Sequence, residues 1–307
     1  MPARLQTTLT RERDAAPPRQ VLDFYGQPAA MTAAGGRASL FAALPRDVAG
    51  LCGILQGLAI HEYMASAYGF DVPEARRAES HLRPVDRMLE RLVALDDRPL
   101  AAARAPDKRL VGVCRHFTVL LVALLRARGV PARARVGFGI FFNPGHFEDH
   151  WVCEWWQANE ARWVRSDAQL DDVWRGMLKI DFDVLDVPYD RFAIAGDAWS
   201  EWRAGEVDPA KFGIGELRGL WFIAGNLVRD AAALNKVEML PWDVWGAMPR
   251  PDEPLRDESL AFFDRLAALT RAPDAGFAEL RELYDGDDRL RVPPTVFNAV
   301  LQRPETV

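Results

Sequence analysis

LVGVCRHFTVLLVALLRARGVPARARVGF, residues 110–138, is the stretch of this chain that decides its fold. Apolar residues recur at helical spacing from Cys114 up to Gly129, which predicts a helix. Gly129 suits the left-handed position after a helix, and Pro131 prevents the helix from continuing. The alternating segment 132–142 is rich in β-forming residues and predicts a strand. Cys114 therefore opens a helix, either as a small core residue or as a reactive thiol.

The same patterns predict further elements on both sides of this stretch. Upstream, segments 45–70 and 83–100 show helical spacing, and Asp47 can cap the first of them. Downstream, segments 150–157 and 162–167 predict the two strands of a hairpin. A helix followed by a strand and a hairpin predicts an α+β fold, with the Cys114 helix packed on an antiparallel sheet.

The chain is predicted to have three parts. Residues 1–30 are polar and rich in proline, which predicts an extended lead-in. Residues 31–190 contain the motifs above and are predicted to form the core. After about residue 190 the apolar spacing becomes helical, so 191–307 is predicted to be a helical C-terminal extension.

Composition limits the classes of function. The chain has 307 residues, of which 49% are hydrophobic and 27% are charged, as in ordinary globular proteins. A net charge of -6 gives no electrostatic support for a nucleic-acid partner. The N-terminus lacks a signal-peptide pattern, and no apolar run reaches the roughly 18 residues of a membrane span. The expectation is a cytoplasmic protein without a membrane partner, whose three cysteines stay reduced.

Three residues have the chemistry that thiol catalysis requires. A cysteine nucleophile needs an activated thiol, a base, and a group that orients the base. Cys114 opens a helix, where the dipole favours a thiolate and the backbone amide can receive an oxyanion. His150 begins the strand after a loop, and Asp167 ends the next strand. Asp171 and Asp172 are interpreted as residues that cap or flank the next element of the chain.

The spacing of the hairpin predicts a direct pairing. If a two-residue loop at 158–159 joins the strands, His150 lies directly opposite Asp167, with Cβ atoms about 4.5–5.5 Å apart. A carboxylate at that distance would hold one tautomer of the imidazole. A longer loop would place Asp167 diagonally from His150.

The sequence resembles a known family in three places. The segment 112–138 is similar to the nucleophile segment of the transglutaminase-like superfamily, which has Gly-x-Cys, an apolar helix, Arg-x-x-Gly-Ile/Val-Pro-Ala-Arg and a strand. DHWVCEWW (149–156) resembles the histidine strand of the family, and RWVRSDAQLD (162–171) resembles its aspartate strand. The order of the motifs also matches, and the resemblance covers roughly residues 105–172.

This resemblance implies a papain-like core with Cys114 as nucleophile, His150 as base and Asp167 as the orienting group. One departure is visible: the family often has His-x-Trp-x-Glu, whereas Trp151 follows the histidine at once here and Glu154 keeps its place. The family contains transglutaminases, peptidases, amidases and inactive members. The resemblance therefore implies the fold and the triad more strongly than it implies the substrate.

The predicted function is that of a cysteine acyl-transfer enzyme acting on an amide through a thioester. Water as acceptor makes it a peptidase or amidase, and an amine as acceptor makes it an amide-forming enzyme. The expected substrate is a peptide, a protein or a small amide. The expected reaction uses no cofactor and no metal. The sequence does not predict the oligomeric state. The alternative is an inactive transglutaminase-like scaffold that binds a protein or peptide, although it would not need an intact Cys, His and Asp set.

Residues near the motifs are interpreted as structural. His116 lies two positions past the candidate nucleophile, so a helix points it away from the thiol. Cys52 and Cys153 are predicted to be core residues, and Glu148 and Asp149 to lie on a solvated loop.

Four cysteine and histidine residues have the chemistry of zinc ligands, but their positions do not favour a zinc site. Cys114 with His116, and His150 with Cys153, offer four ligands of the right type. Residues two apart diverge on a helix, however, and residues three apart lie on opposite faces of a strand, so the four could converge only if those elements were broken.

Overall fold

The computed structural model describes residues 16–251 and 253–307, and it confirms the predicted α+β class. The α-helices are α1 (Arg19–Tyr25), α2 (Val48–Leu58), α3 (Glu74–Arg77), α4 (Val85–Leu95), α5 (Cys114–Arg126), α6 (Asp172–Leu178), α7 (Ala195–Arg203), α8 (Leu220–Leu234), α9 (Asp257–Arg271) and α10 (Phe277–Gly286). The strands are β1 (Ala59–His61), β2 (Leu110–Gly112), β3 (Ala132–Gly139), β4 (Phe147–Gln157), β5 (Arg162–Ser166), β6 (Phe192–Ile194), β7 (Phe212–Ile214), β8 (Leu217–Arg218), β9 (Asp243–Val244), β10 (Thr295–Asn298) and β11 (Arg303–Thr306).

The opening stretch folds as its pattern predicts. Helix α5 starts at Cys114, and every one of its side chains is buried. Gly129 follows with a φ of 70°, in the left-handed region that glycine adopts without steric cost. The chain then enters β3, which is buried along its whole length. The apolar run thus anchors the helix that begins with the cysteine.

The segment 45–70 is not one helix as predicted. Asp47 does cap α2, because its side chain accepts a hydrogen bond from the Gly50 N–H at 2.7 Å. The helix stops where Ala59–His61 pairs in parallel with Leu110–Gly112. The partner strand lies about fifty residues away, so helical spacing alone could not reveal this end.

The lead-in predicted to be extended at 1–30 contains a helix. Residues 1–15 lie outside the described residues. Residues Arg19–Tyr25 form α1, whose Val21 and Tyr25 are each only 1% exposed. These two apolar side chains are four residues apart, so they share one helix face that the polar composition concealed.

The main sheet extends beyond the predicted hairpin. Its strand order is β6-β3-β4-β7-β8, and β5 pairs with β4. The pairing of β4 with β7 is parallel, which the expected antiparallel sheet did not include. Strands β6, β7 and β8 come from the region predicted to be helical. Each has only two or three residues, too few for a periodic pattern.

The hairpin register differs from the predicted one. Gln157 pairs with Arg162, so the loop has four residues, 158–161, rather than two. Every partner on β5 is therefore displaced by two positions, and the predicted direct opposition of His150 and Asp167 is wrong. Ala-Asn is a poor sequence for a two-residue hairpin turn, which favours the longer loop.

The chain divides into two compact units. The first contains Arg135–Trp151 and Pro188–Val307 together with the described residues up to Val21, and the second contains Leu22–Ala134 and Val152–Val187. One boundary falls close to the predicted one near residue 190. The predicted separation of a 31–190 core from a 191–307 extension stays a prediction.

In the first unit, helices α7, α8 and α9 pack on one another. The rings of Phe138 and Phe212 are in edge contact, with centroids 5.0 Å apart. Asp230 on α8 is fully buried and accepts hydrogen bonds from the Arg135 guanidinium at 2.8 and 3.1 Å. The helical part of this unit is thus held to its strand residues by apolar and ionic contacts.

In the second unit, α5 packs against α2 and α4. A buried ion-pair triad joins three strands: Glu154 on β4 accepts from Arg133 on β3 at 2.7 Å and from Arg165 on β5 at 3.2 Å. All three side chains are at most 2% exposed. The shared carboxylate offsets part of the desolvation of both guanidinium groups.

Glu201 on α7 makes stability depend on pH. Its side chain is 8% exposed, and neither carboxyl oxygen has a hydrogen-bond partner. Burial, reinforced by Asp197 and Glu206, raises the pKa of Glu201 from 4.5 to about 7. The folded state therefore holds this proton more tightly than the unfolded state does. The resulting stability is complete below pH 4.5 and is lost as the pH rises through 7.

We expect Glu201→Gln to remove this dependence, because glutamine stays neutral. Urea denaturation at pH 5 and pH 8 should show a fall in the free energy of unfolding of up to about 3 kcal/mol for the native sequence. The fall should be smaller in the variant. Equal falls in both proteins would contradict the assignment.

Candidate active site

Cys114 is the first residue of a fully buried helix. The preceding residue, Val113, has extended backbone (φ −127°, ψ 179°), so the helix begins abruptly at the cysteine. The Cys114 side chain is 7% exposed. A thiol in the first helical turn lies in the positive end of the helix dipole, which favours the thiolate.

The start of α5 is held by His116. The Nδ1 atom of His116 accepts a hydrogen bond from the Val113 N–H at 3.1 Å, and the His116 N–H donates to the Val113 carbonyl at 2.8 Å. The ring thus points back to the residue before the helix, in keeping with its interpretation as structural. Complete burial lowers the pKa of His116 well below its ordinary value, so the imidazole is neutral.

His150 lies on β4 and is surrounded by aromatic rings. Its ring centroid is 4.9 Å from that of Phe142, 5.9 Å from that of Phe141 and 6.3 Å from that of Phe192. Gly139 provides the space for Phe142, because a Cβ at this position would lie 2.5 Å from the Phe142 ring. The motifs did not predict that aromatic rings surround His150. Gly139 was a possible signal, because glycine in a strand often marks the close approach of another group.

The two acidic residues before His150 are not on a solvated loop as predicted. Glu148 and Asp149 belong to β4 and are buried. Asp149 accepts a hydrogen bond from the Asn226 side-chain amide at 2.8 Å, and its burial raises the pKa of the carboxyl group. Glu148 accepts from the Asn143 amide at 2.7 Å and forms an ion pair with Arg218. The prediction failed because all three partners lie outside the motif, two of them far along the chain.

Asp167 follows β5 directly and is buried. Its side chain accepts the Gln169 N–H at 3.0 Å, and its own N–H donates to the Val184 carbonyl at 2.8 Å. These bonds fix the backbone on both sides of the carboxylate. Asp171 caps α6 by accepting from two of its backbone N–H groups, as its interpretation predicted.

The other two cysteines are core residues, as predicted. Burial raises the pKa of Cys52 to about 12, and the nearby charge of Asp167 adds to this effect. Burial also raises the pKa of Cys153 well above its ordinary value. Both thiols therefore stay protonated at neutral pH and are poor nucleophiles.

Among residues 16–251 and 253–307, no group of three or more His, Cys, Asp or Glu side chains could hold a metal ion. Within the same described part of the chain, no helix combines the length and the apolarity needed to cross a membrane.

The predicted site residues are distributed over both units. Cys114 and Asp167 belong to the second unit, and His150 belongs to the first. Each is buried and is positioned by the local contacts described above. Their combined role as nucleophile, base and orienting group stays a prediction.

Two comparisons with known proteins give no basis for an assignment. A search of curated proteins finds no significant match. A solved structure described as "a Putative Cysteine Protease from Cytophaga hutchinsonii" is similar at 17% identity and a TM-score of 0.30, covering 55% of this chain and 44% of that one. This chain thus aligns with less than half of that protein, and the likeness is too low to support an inference about function.

A family model matches one segment of the chain. Residues 58–168, about a third of the chain, match the model of the transglutaminase-like superfamily. The matched segment runs from the end of α2 to just beyond β5, so it contains all three predicted site residues. The family resemblance predicted from the motifs is confirmed: residues 58–168 of this chain are similar to the transglutaminase-like superfamily.

Proposed function

We propose that this protein is a cysteine acyl-transfer enzyme that acts on an amide through a thioester intermediate. Cys114 is the nucleophile, His150 is the general base and acid, and Asp167 orients the imidazole. The substrate is a peptide, a protein or a small amide. The reaction class follows from the type of the three residues and from the family of the segment that contains them.

One observation carries this proposal: Cys114 is the first residue of a buried helix within the transglutaminase-like segment. Cys52 and Cys153 lie inside a helix and a strand, where burial raises the pKa of each thiol. Cys114 is therefore the cysteine whose position favours the reactive form.

The reaction has two steps, acylation of the thiol and release of the acyl group to water or an amine. The Cys114 sulfur attacks the amide carbonyl carbon while His150 takes the thiol proton. His150 then gives this proton to the leaving nitrogen, the carbon–nitrogen bond breaks, and an acyl thioester remains on the cysteine. Water releases the acyl group as a carboxylic acid, or a primary amine releases it as a new amide, and both restore the thiol.

Intact-mass spectrometry tests the proposal directly. The protein is incubated with a panel of glutamine-containing peptides, other acylated peptides and simple amides, and is quenched in acid. We expect a mass increase equal to one acyl group on Cys114, which hydroxylamine removes. A fluorescent primary amine, added in a parallel reaction, distinguishes transfer to an amine from hydrolysis.

The matched control is Cys52→Ala, which should keep the adduct, whereas Cys114→Ala should lose it. The proposal fails if no substrate acylates Cys114 and if iodoacetamide alkylates this thiol no faster than free cysteine. That pair of results would favour an inactive scaffold that binds a protein or peptide.

A further inference from the structure

We infer that His116 is a positioning residue for Cys114, which holds the first turn of the nucleophile helix through the Val113 N–H and takes no part in proton transfer. This inference rests on the proposed function, because it assigns a role around the same thiol. It concerns residues of the second unit only.

The first support is the way in which α5 is capped. A helix N-terminus is usually capped by the side chain before it, as Asp47 caps α2 and Asp171 caps α6. Val113 has no side-chain acceptor, so it cannot cap α5 in this way. His116, at the third helical position, instead accepts the Val113 N–H through Nδ1 at 3.1 Å. It thereby makes the reciprocal bond that Glu or Gln makes in a capping box.

The second support is the space that is kept for the ring. A Cβ on Gly112 would lie 2.7 Å from the Cγ atom of His116 and 2.9 Å from its Cβ atom. Gly112 lies in strand β2 and pairs with His61 of β1, so its backbone is extended. The glycine is therefore required by the neighbouring imidazole. The first position of the Gly-x-Cys motif and His116 form one structural unit around the cysteine.

The third support is the protonation state that the bond requires. The lone pair of Nδ1 is occupied by the Val113 N–H, so this atom carries no proton of its own and is not free to take one from a thiol. Burial and the charge of Arg115 act in the same direction by lowering the pKa of His116. His116 can thus serve the nucleophile through the backbone, which leaves the role of base to His150.

The experiment measures alkylation of Cys114 by iodoacetamide as a function of pH, with the labelled peptide identified by mass. We expect His116→Ala to lower the rate constant at pH 7 by about two- to fivefold, because the first helical turn frays and its dipole no longer favours the thiolate. The pH of half-maximal labelling should rise accordingly. His116→Gln should restore both values, since glutamine can accept the same N–H.

A double-mutant cycle makes the test specific. Gly112→Ala should lower the rate constant in the native background, because the added methyl group displaces the imidazole. The same change should have a smaller effect when His116 is already alanine, because the contact with Cγ is removed and only the 2.9 Å contact with Cβ remains. Val122→Ala, a buried truncation on the same helix, controls for general loss of stability and should leave the pH profile unchanged. If His116→Ala does not fold, the alkylation rates and pH profiles of Gly112→Ala and His116→Gln test the inference instead.

The two proposals fail in different ways. A Cys114 thiol that reacts like free cysteine in the native protein overturns the proposed function and this inference together. A fast-reacting Cys114 whose pH profile is the same in His116→Ala overturns the inference alone. Additive effects of Gly112→Ala and His116→Ala would also overturn it.

Discussion

Replacing His150 with alanine is expected to lower the rate of thioester formation by about 10²- to 10⁴-fold, the usual contribution of a positioned acid–base group. The thiol proton would then have no side-chain acceptor, and the leaving nitrogen would have no donor. Single-turnover mass spectrometry with a substrate that acylates the native protein measures this rate constant.

His146 provides the matched control for this change. It lies on the exposed loop before β4, four positions from His150. His146→Ala should leave the rate constant within about twofold, as for a surface change outside the site. Equal rate constants for His150→Ala and the native protein would contradict the role of His150 as base.

The variant Asp167→Asn tests the proposed orienting group by the same rate measurement. The amide oxygen can still accept the Gln169 N–H, so the local turn should persist, but the negative charge that stabilises an imidazolium is lost. We expect the rate constant to fall. Asp172 is the control, because it is almost fully exposed and lies five positions further along the chain. A larger effect at Asp172 than at Asp167 would contradict the assignment of the orienting group.

Replacing Glu154 with alanine is expected to lower the free energy of unfolding by about 3–5 kcal/mol. The carboxylate compensates the charges of Arg133 and Arg165, and all three side chains are buried on adjacent strands. Its removal leaves two guanidinium groups in the protein interior without their shared counter-charge. Urea denaturation followed by circular dichroism measures the change, with an unchanged m-value as the check for two-state unfolding.

Two comparisons make this stability prediction specific. Glu160→Ala removes an exposed ion pair with Arg162 and should cost less than about 1 kcal/mol. The triple replacement Arg133→Met, Glu154→Leu and Arg165→Met removes all three buried charges at once. It should be far less destabilising than the single change, because no uncompensated charge remains. A triple variant as unstable as Glu154→Ala would contradict the electrostatic explanation.

The hairpin illustrates what local sequence can and cannot predict. The β-forming residues of β4 and β5 correctly predicted two strands, because strand propensity depends on each residue and its alternation. Their register was predicted wrongly, because it depends on a loop of four residues with Ala161 in the left-handed region (φ 49°). Ala158-Asn159 is a poor two-residue turn, but it does not specify the length of the loop, and a two-position error changes every residue pair of the hairpin.

The surroundings of the candidate site could not be predicted from the motifs. Asp149 accepts a hydrogen bond from Asn226, which lies 77 positions further along the chain. Strand β7, which pairs with the start of β4, comes from a region whose spacing predicted only helices. These partners are brought to β4 by chain packing, and no local pattern records such a contact.

By itself, the sequence determined that Cys114 opens a buried helix, that this helix ends before Pro131, and that the segment resembles the transglutaminase-like superfamily. These properties depend on residues within a few turns of one another and on motifs that lie in order along the chain. Only the tertiary structure decided how Val113 is capped and why position 112 is glycine. Both depend on the conformation of the His116 side chain, and the packing around this fully buried ring selects that conformation.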